Sequence, residues 1–84
     1  MLFVFDFPQS LTFWMKETFI PLDVLFFDEA GIFLRFQTMV PCKSDPCPVY
    51  PSNRPVKYAL EVNAGFVERE GIGEGWKLQL PELP

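Results

Sequence analysis

The sequence predicts a mainly β fold: a small sandwich or barrel-like set of antiparallel sheets, with one short helix near residues 64–70. Three observations predict it. Apolar residues recur in short runs with a period of two, each run bounded by Pro, Gly, Asn or Asp. Two of these runs flank Asp28-Glu29-Ala30-Gly31, whose leading aspartate and closing glycine suit a hairpin turn. Ten Phe, two Trp and two Tyr supply bulk to the core of an 84-residue chain. Each aromatic buries about 150–250 Å², which offsets the small interior of so short a chain. The length predicts a single domain over residues 1–84.

Taken in order, Met1 to Phe7 is apolar on both alternating faces except at Asp6, the pattern of a strand covered on both sides and central in a sheet. Pro8-Gln9-Ser10 is a turn signal, after which Leu11 to Met15 reads as a strand able to pair back on the first. Pro21 has no amide to donate and restricts Ile20, so the chain bends or bulges between Thr18 and Pro21. Leu22 to Phe27 and Ile32 to Val40 form the hairpin around Asp28–Gly31. In its second arm Ile32, Leu34, Phe36 and Val40 share one parity, and Arg35 and Gln37 the other.

Between Pro41 and Pro55 five prolines accompany both cysteines, which predicts a long loop without regular structure. Val56 to Asn63 alternates again, with Val56, Tyr58, Leu60 and Val62 toward the core. Asn63 is placed to cap a helix over about 64–70 that Gly71 closes. Gly73-Glu74-Gly75 then turns into a last strand, Trp76 to Leu80, stopped by Pro81. Phe19, Phe26, Phe27, Phe33 and Phe36 are most economically core, while an exposed phenylalanine would mark a partner surface.

Composition narrows the function classes. A net charge of −4 without a Lys/Arg cluster argues against a nucleic-acid partner. Asp6, Lys16, Asp23 and Asp28 interrupt the apolar first third, so no run is long enough to span a bilayer. Histidine is absent, which removes Ser-His-Asp and Cys-His catalysis. No metal or cofactor is assigned: two thiolates alone do not complete a tetrahedral zinc site.

Several blocks carry a resemblance: Met1-Leu2-Phe3-Val4-Phe5; Phe13-Trp14-Met15-Lys16-Glu17-Thr18 running into Ile20-Pro21-Leu22-Asp23; the Pro41-Cys42 to Tyr50-Pro51 loop; Tyr58-Ala59-Leu60-Glu61-Val62-Asn63-Ala64-Gly65; and Gly71-Ile72-Gly73-Glu74-Gly75. In this order and spacing the chain resembles the uncharacterised prokaryotic family known as domain of unknown function 192. The resemblance implies a compact, mostly β sandwich or barrel with one short helix, and it implies no reaction. The family's domain usually begins about two dozen residues earlier than Met1, so the flank it supplies is expected to be missing here. Read from Met1 the chain stays in the cytoplasm; an upstream signal segment, as many relatives carry, would place it in the periplasm or outside the cell.

Lys16, Asp23, Glu61 and Asn63 are polar residues inside otherwise apolar strands, where charge is costly to desolvate. Gathered beside Trp14 they would make a ligand site: an aromatic platform, a cation and two carboxylates, suited to a polar or sugar-like molecule. The loop from Pro41 to Pro55 would roof it. The plainer reading pairs Lys16 with Asp23 across the Pro21 bend and leaves Glu61 and Asn63 in solvent. A catalytic version makes Glu61 and Asp23 a hydrolytic carboxylate pair. Cys42 and Cys47, with four residues between them, either close a short disulfide in an oxidising compartment or stay reduced in the cytosol. The residues favour a non-enzymatic module binding a small molecule or a protein. The alternatives are the small hydrolase and an assembly protein that forms a homodimer through an exposed strand edge.

Overall fold

Alternating apolar side chains and strong turn residues build six strands and one helical turn in the computed structural model, which describes residues 1–16 and 18–79. The strands are β1 (Leu2–Gln9), β2 (Thr12–Trp14), β3 (Leu22–Phe27), β4 (Phe33–Met39), β5 (Val49–Pro51) and β6 (Val56–Asn63), followed by α1 (Phe66–Glu70). Four of them form an antiparallel sheet in the order β1-β6-β3-β4, while β2 and β5 pair separately. The fold is therefore mainly β, and its sheets are not closed into a barrel.

The larger sheet is covered on both faces. On one, Val24, Phe26 and Ala59 pack with Met15, Met39, Tyr50 and Val56, and Phe13 of β2 fills the gap between Phe3 and Phe26. On the other, Leu25 and Phe27 meet Val67 of α1, flanked by Tyr58, Leu60, Val62, Ile72 and Leu78. Burying one such side chain contributes about 1.5–3 kcal/mol, so the central strand β3, buried from Asp23 to Phe27, ties both layers together.

Local chemistry forms the β3–β4 hairpin as expected. The Asp28 carboxylate accepts the amides of Ala30 and Ile32, each at 2.9 Å, and Gly31 takes φ +82°, which a side chain would resist. Gly71 likewise closes α1 at φ +67°, donating its amide to Glu68.

Long-range pairing departs from the sequence reading in several places. β1 lies at the sheet edge with one face largely exposed, and its partner is β6 rather than the Leu11–Met15 run. Pro8 explains the edge position, since a residue without an amide hydrogen has no place in a central strand. β2 pairs with β5, a short strand inside the proline-rich segment expected to be irregular. In β4 a register shift between the Phe26–Arg35 and Phe27–Phe33 pairs reverses the parity, so Leu34 packs on one cluster and Phe36 on the other. Central β6 buries both of its faces: Val56 and Ala59 join the first cluster, Tyr58, Leu60 and Val62 the second. Trp76 to Gln79 makes only a bridge from Lys77 to Ile32, not a strand. Leu80 and Pro81 lie outside the described residues.

Candidate functional site

The five residues expected to share a pocket do not all come together. Asp23 is opposite Val62 on the α1 side of the sheet, whereas Glu61 and Asn63, opposite Val24 and Leu22, project from the other side. Asp23 is 1% exposed and engages both oxygens: Oδ1 accepts from the Thr38 hydroxyl at 2.7 Å, and Oδ2 from the amides of Gly65 and Val67 at 3.1 and 3.3 Å. It takes over the start of α1 from Asn63, because Gly65 stands at the N-cap position and has no side chain to offer. The carboxylates of Asp23 and Glu61 therefore do not flank a common substrate bond. Burial raises the pKa of Glu61, and the amino group of Met1 offsets this in part.

Lys16 does not pair with Asp23. Its ammonium lies 3.0 Å from Asp45 Oδ2 and 5.8 Å from the centre of the Trp14 ring, and Trp14 itself is 60% exposed. Trp14 and Lys16 thus stay together at the end of β2, without Asp23 beside them.

At that end a half-open groove of about 360 Å³ is lined by Lys16, Thr18, Phe19, Pro41, Cys42 and Lys43. Met15 organises it. Its side chain is buried in the core, while its carbonyl accepts the amides of Thr18 at 3.1 Å and Cys42 at 3.3 Å, bringing the two groove walls together. Lys16 and Cys42 then run alongside each other as a parallel bridge. The start of the Pro41–Pro55 loop borders this groove, not a pocket containing Asp23 and Glu61. Cys42 and Cys47 are joined in a disulfide with their Cα atoms 5.7 Å apart, and Asp45 lies within the ring so closed.

Most of the lining is apolar, and among the described residues its charged members are two lysines, against a net charge of −4 for the chain. Phe19, read from the sequence as core, is 91% exposed at the groove. Thr18, Phe19, Pro41 and Lys43 were not among the residues the sequence singles out for a site. The available signal was Phe19 itself, a bulky ring placed where Pro21 breaks the strand. The lining has a volume and apolar character suited to a small organic ligand; among the described residues its walls carry no carboxylate of their own, and the Asp45 carboxylate beside them is paired with Lys16. Among the described residues no three Cys, Asp or Glu side chains gather closely enough to hold a metal ion, and no helix is long and apolar enough to cross a membrane.

Two crystal structures resemble this one closely. One is a candidate transcription regulator from Sinorhizobium meliloti 1021, 38% identical with a TM-score of 0.84; the match covers 94% of this chain and 60% of that one. The other is a protein of unknown function from Novosphingobium aromaticivorans DSM 12444, 32% identical with a TM-score of 0.84, covering 95% of this chain and 56% of that one. The chain thus spans less than two thirds of either relative. No curated protein matches it. The model of the family DUF192, described as uncharacterized ACR, matches residues 1–80, and the chain belongs to that family.

Proposed function

We propose that the chain is a single domain that acts as a non-enzymatic binding module, and that its ligand is a small amphipathic anion seated in the groove beside Met15. The apolar body lies against Phe19, Pro41 and the Cys42–Cys47 bridge, and a carboxylate reaches Lys16 and Lys43. The observation that carries this reading is the pairing of a 91% exposed phenylalanine with two lysines on a net-acidic chain. Exposed phenylalanine beside a concave, cation-rimmed surface is suited to an apolar anion more than to the sugar-like molecule the sequence favoured. The regulator designation belongs to the Sinorhizobium meliloti protein, part of whose length has no counterpart here, and a charge of −4 gives nucleic-acid binding no support.

The test is titration with octanoate, read by amide chemical shifts, with octanol as the uncharged control. Octanoate is expected to move the amides of Thr18, Phe19, Cys42 and Lys43, and octanol to bind more weakly. Lys43→Ala should weaken octanoate binding by about two- to five-fold, and Phe19→Ala by about ten-fold through lost apolar contact. Neither should alter the unfolding midpoint, because both side chains are exposed. Shifts confined to other surfaces, or none at saturation, overturn the reading.

One observation favours a second reading, assembly of two copies through the outer side of β1. That strand ends the sheet and leaves Leu2, Val4 and Phe7 exposed along it. A sedimentation coefficient that stays monomeric at high concentration excludes it.

A further inference from the structure

A competitor for the ligand stands beside the groove. Asp45 places a carboxylate 3.0 Å from the Lys16 ammonium, at the position the ligand's anionic group would take under the reading above. In a free loop such an exposed pair holds weakly, because two mobile side chains must be ordered to make it. Here the loop is not free. The disulfide closes residues 42–47 into a ring. One end of the ring is tied to Met15 by the Cys42 amide, and the other leads directly into β5, paired with β2. Closure keeps the Asp45 carboxylate at high effective concentration beside Lys16.

We infer that the Cys42–Cys47 disulfide is a redox control on this groove: closed, it holds Asp45 over Lys16 and suppresses anion binding, and reduction releases Asp45 and opens the cation to the ligand. The inference rests on the groove being the binding site. The reductant is a dithiol. One of its thiolates attacks a ring sulfur, the other ring sulfur leaves as a thiolate and takes a proton, and the dithiol's second thiol resolves the mixed disulfide. Two electrons and two protons reach Cys42 and Cys47, and the dithiol becomes a disulfide.

Octanoate affinity, measured by the same amide shifts on the full chain, tests the switch. Wild type reduced with dithiothreitol should bind about three- to five-fold more tightly than the oxidised form. Oxidised Asp45→Asn should already bind at the reduced wild-type level and change little on reduction. Cys42→Ser/Cys47→Ser should match the reduced wild type without reductant, with unfolding curves confirming that each variant is folded. Equal affinities in the two redox states, or weaker binding after reduction, overturn the switch. If Phe19→Ala and Lys43→Ala still weaken binding in that case, the groove stands and only the switch fails. If octanoate moves no groove amide in either state, both are overturned.

Discussion

Replacing Asp23 with alanine removes the buried carboxylate that joins β3 to the start of α1. Three donors lose their acceptor, but not equally. Thr38 is exposed and finds water in place of Oδ1. The Gly65 and Val67 amides open the helix, where loss of a capping acceptor costs about 0.5–2 kcal/mol. The Val67 hydrogen bond is buried, and an unsatisfied buried donor adds about 1–3 kcal/mol. We therefore expect Asp23→Ala to lose about 2–4 kcal/mol, a large part of the stability a domain of this size possesses. That corresponds to a fall of roughly 10–25 °C in Tm. Asp23→Asn keeps one acceptor oxygen and the side-chain shape, and Thr38 can rotate to accept from the new amide, so its loss should be nearer about 1 kcal/mol. Urea unfolding followed by far-ultraviolet circular dichroism measures both. Octanoate affinity should not change, since Asp23 lies on the α1 side of the sheet. An alanine variant within about 0.5 kcal/mol of wild type would refute the capping role. Equal losses for Asn and Ala would assign the effect to charge and not to the retained acceptor.

Gly31→Ala should destabilise the hairpin by about 1–2 kcal/mol through the positive φ alone, and by more because the added Cβ meets the Leu78 carbonyl oxygen at 3.1 Å. Gly75→Ala, at φ +91° with open space around it, isolates the backbone part; equal midpoints for the two in urea would dismiss the contact with Leu78. Glu61 contributes a pH dependence whose sign is fixed by its raised pKa. Folding favours its protonated form, so that contribution is fully present below its ordinary value of 4.5 and is lost as pH rises through the higher folded-state pKa. Glu61→Gln should therefore gain stability relative to wild type as pH increases across that interval. A wild-type–Gln difference that is flat with pH, in unfolding curves from pH 4 to 8, would contradict it.

What could be read from residues alone was what neighbouring residues decide. Asp28 and Gly31 determine their hairpin within a few positions, and Gly71 terminates α1 by its own backbone freedom. The partners of Lys16 and Asp23 were not legible, because each lies far along the chain: Asp45 in a loop without periodicity, and amides beyond β6. Alternation also misled where the backbone departs from a regular ladder. In β4 a single register shift sends Leu34 and Phe36 to opposite layers, which their parity hides. Proline density concealed β5, since Pro51 ends a strand too short to show a period. The groove was illegible for a related reason: the Met15 carbonyl assembles it from two segments that share no motif.

The placement of β6 has a bearing on how the molecule comes into being. It is the last of the described strands, yet it stands between the first of them, where Leu60 faces Leu2, and the third, where Leu60 faces Leu25. The order of synthesis and the spatial order of the sheet run against each other. Until Val56–Asn63 has been made, Leu2–Gln9 and the inner side of β3 have no common neighbour, and the hairpin of β3 and β4 stands alone. Such distant closures are slow, and the waiting ribbons are surfaces on which newly made copies can adhere to one another.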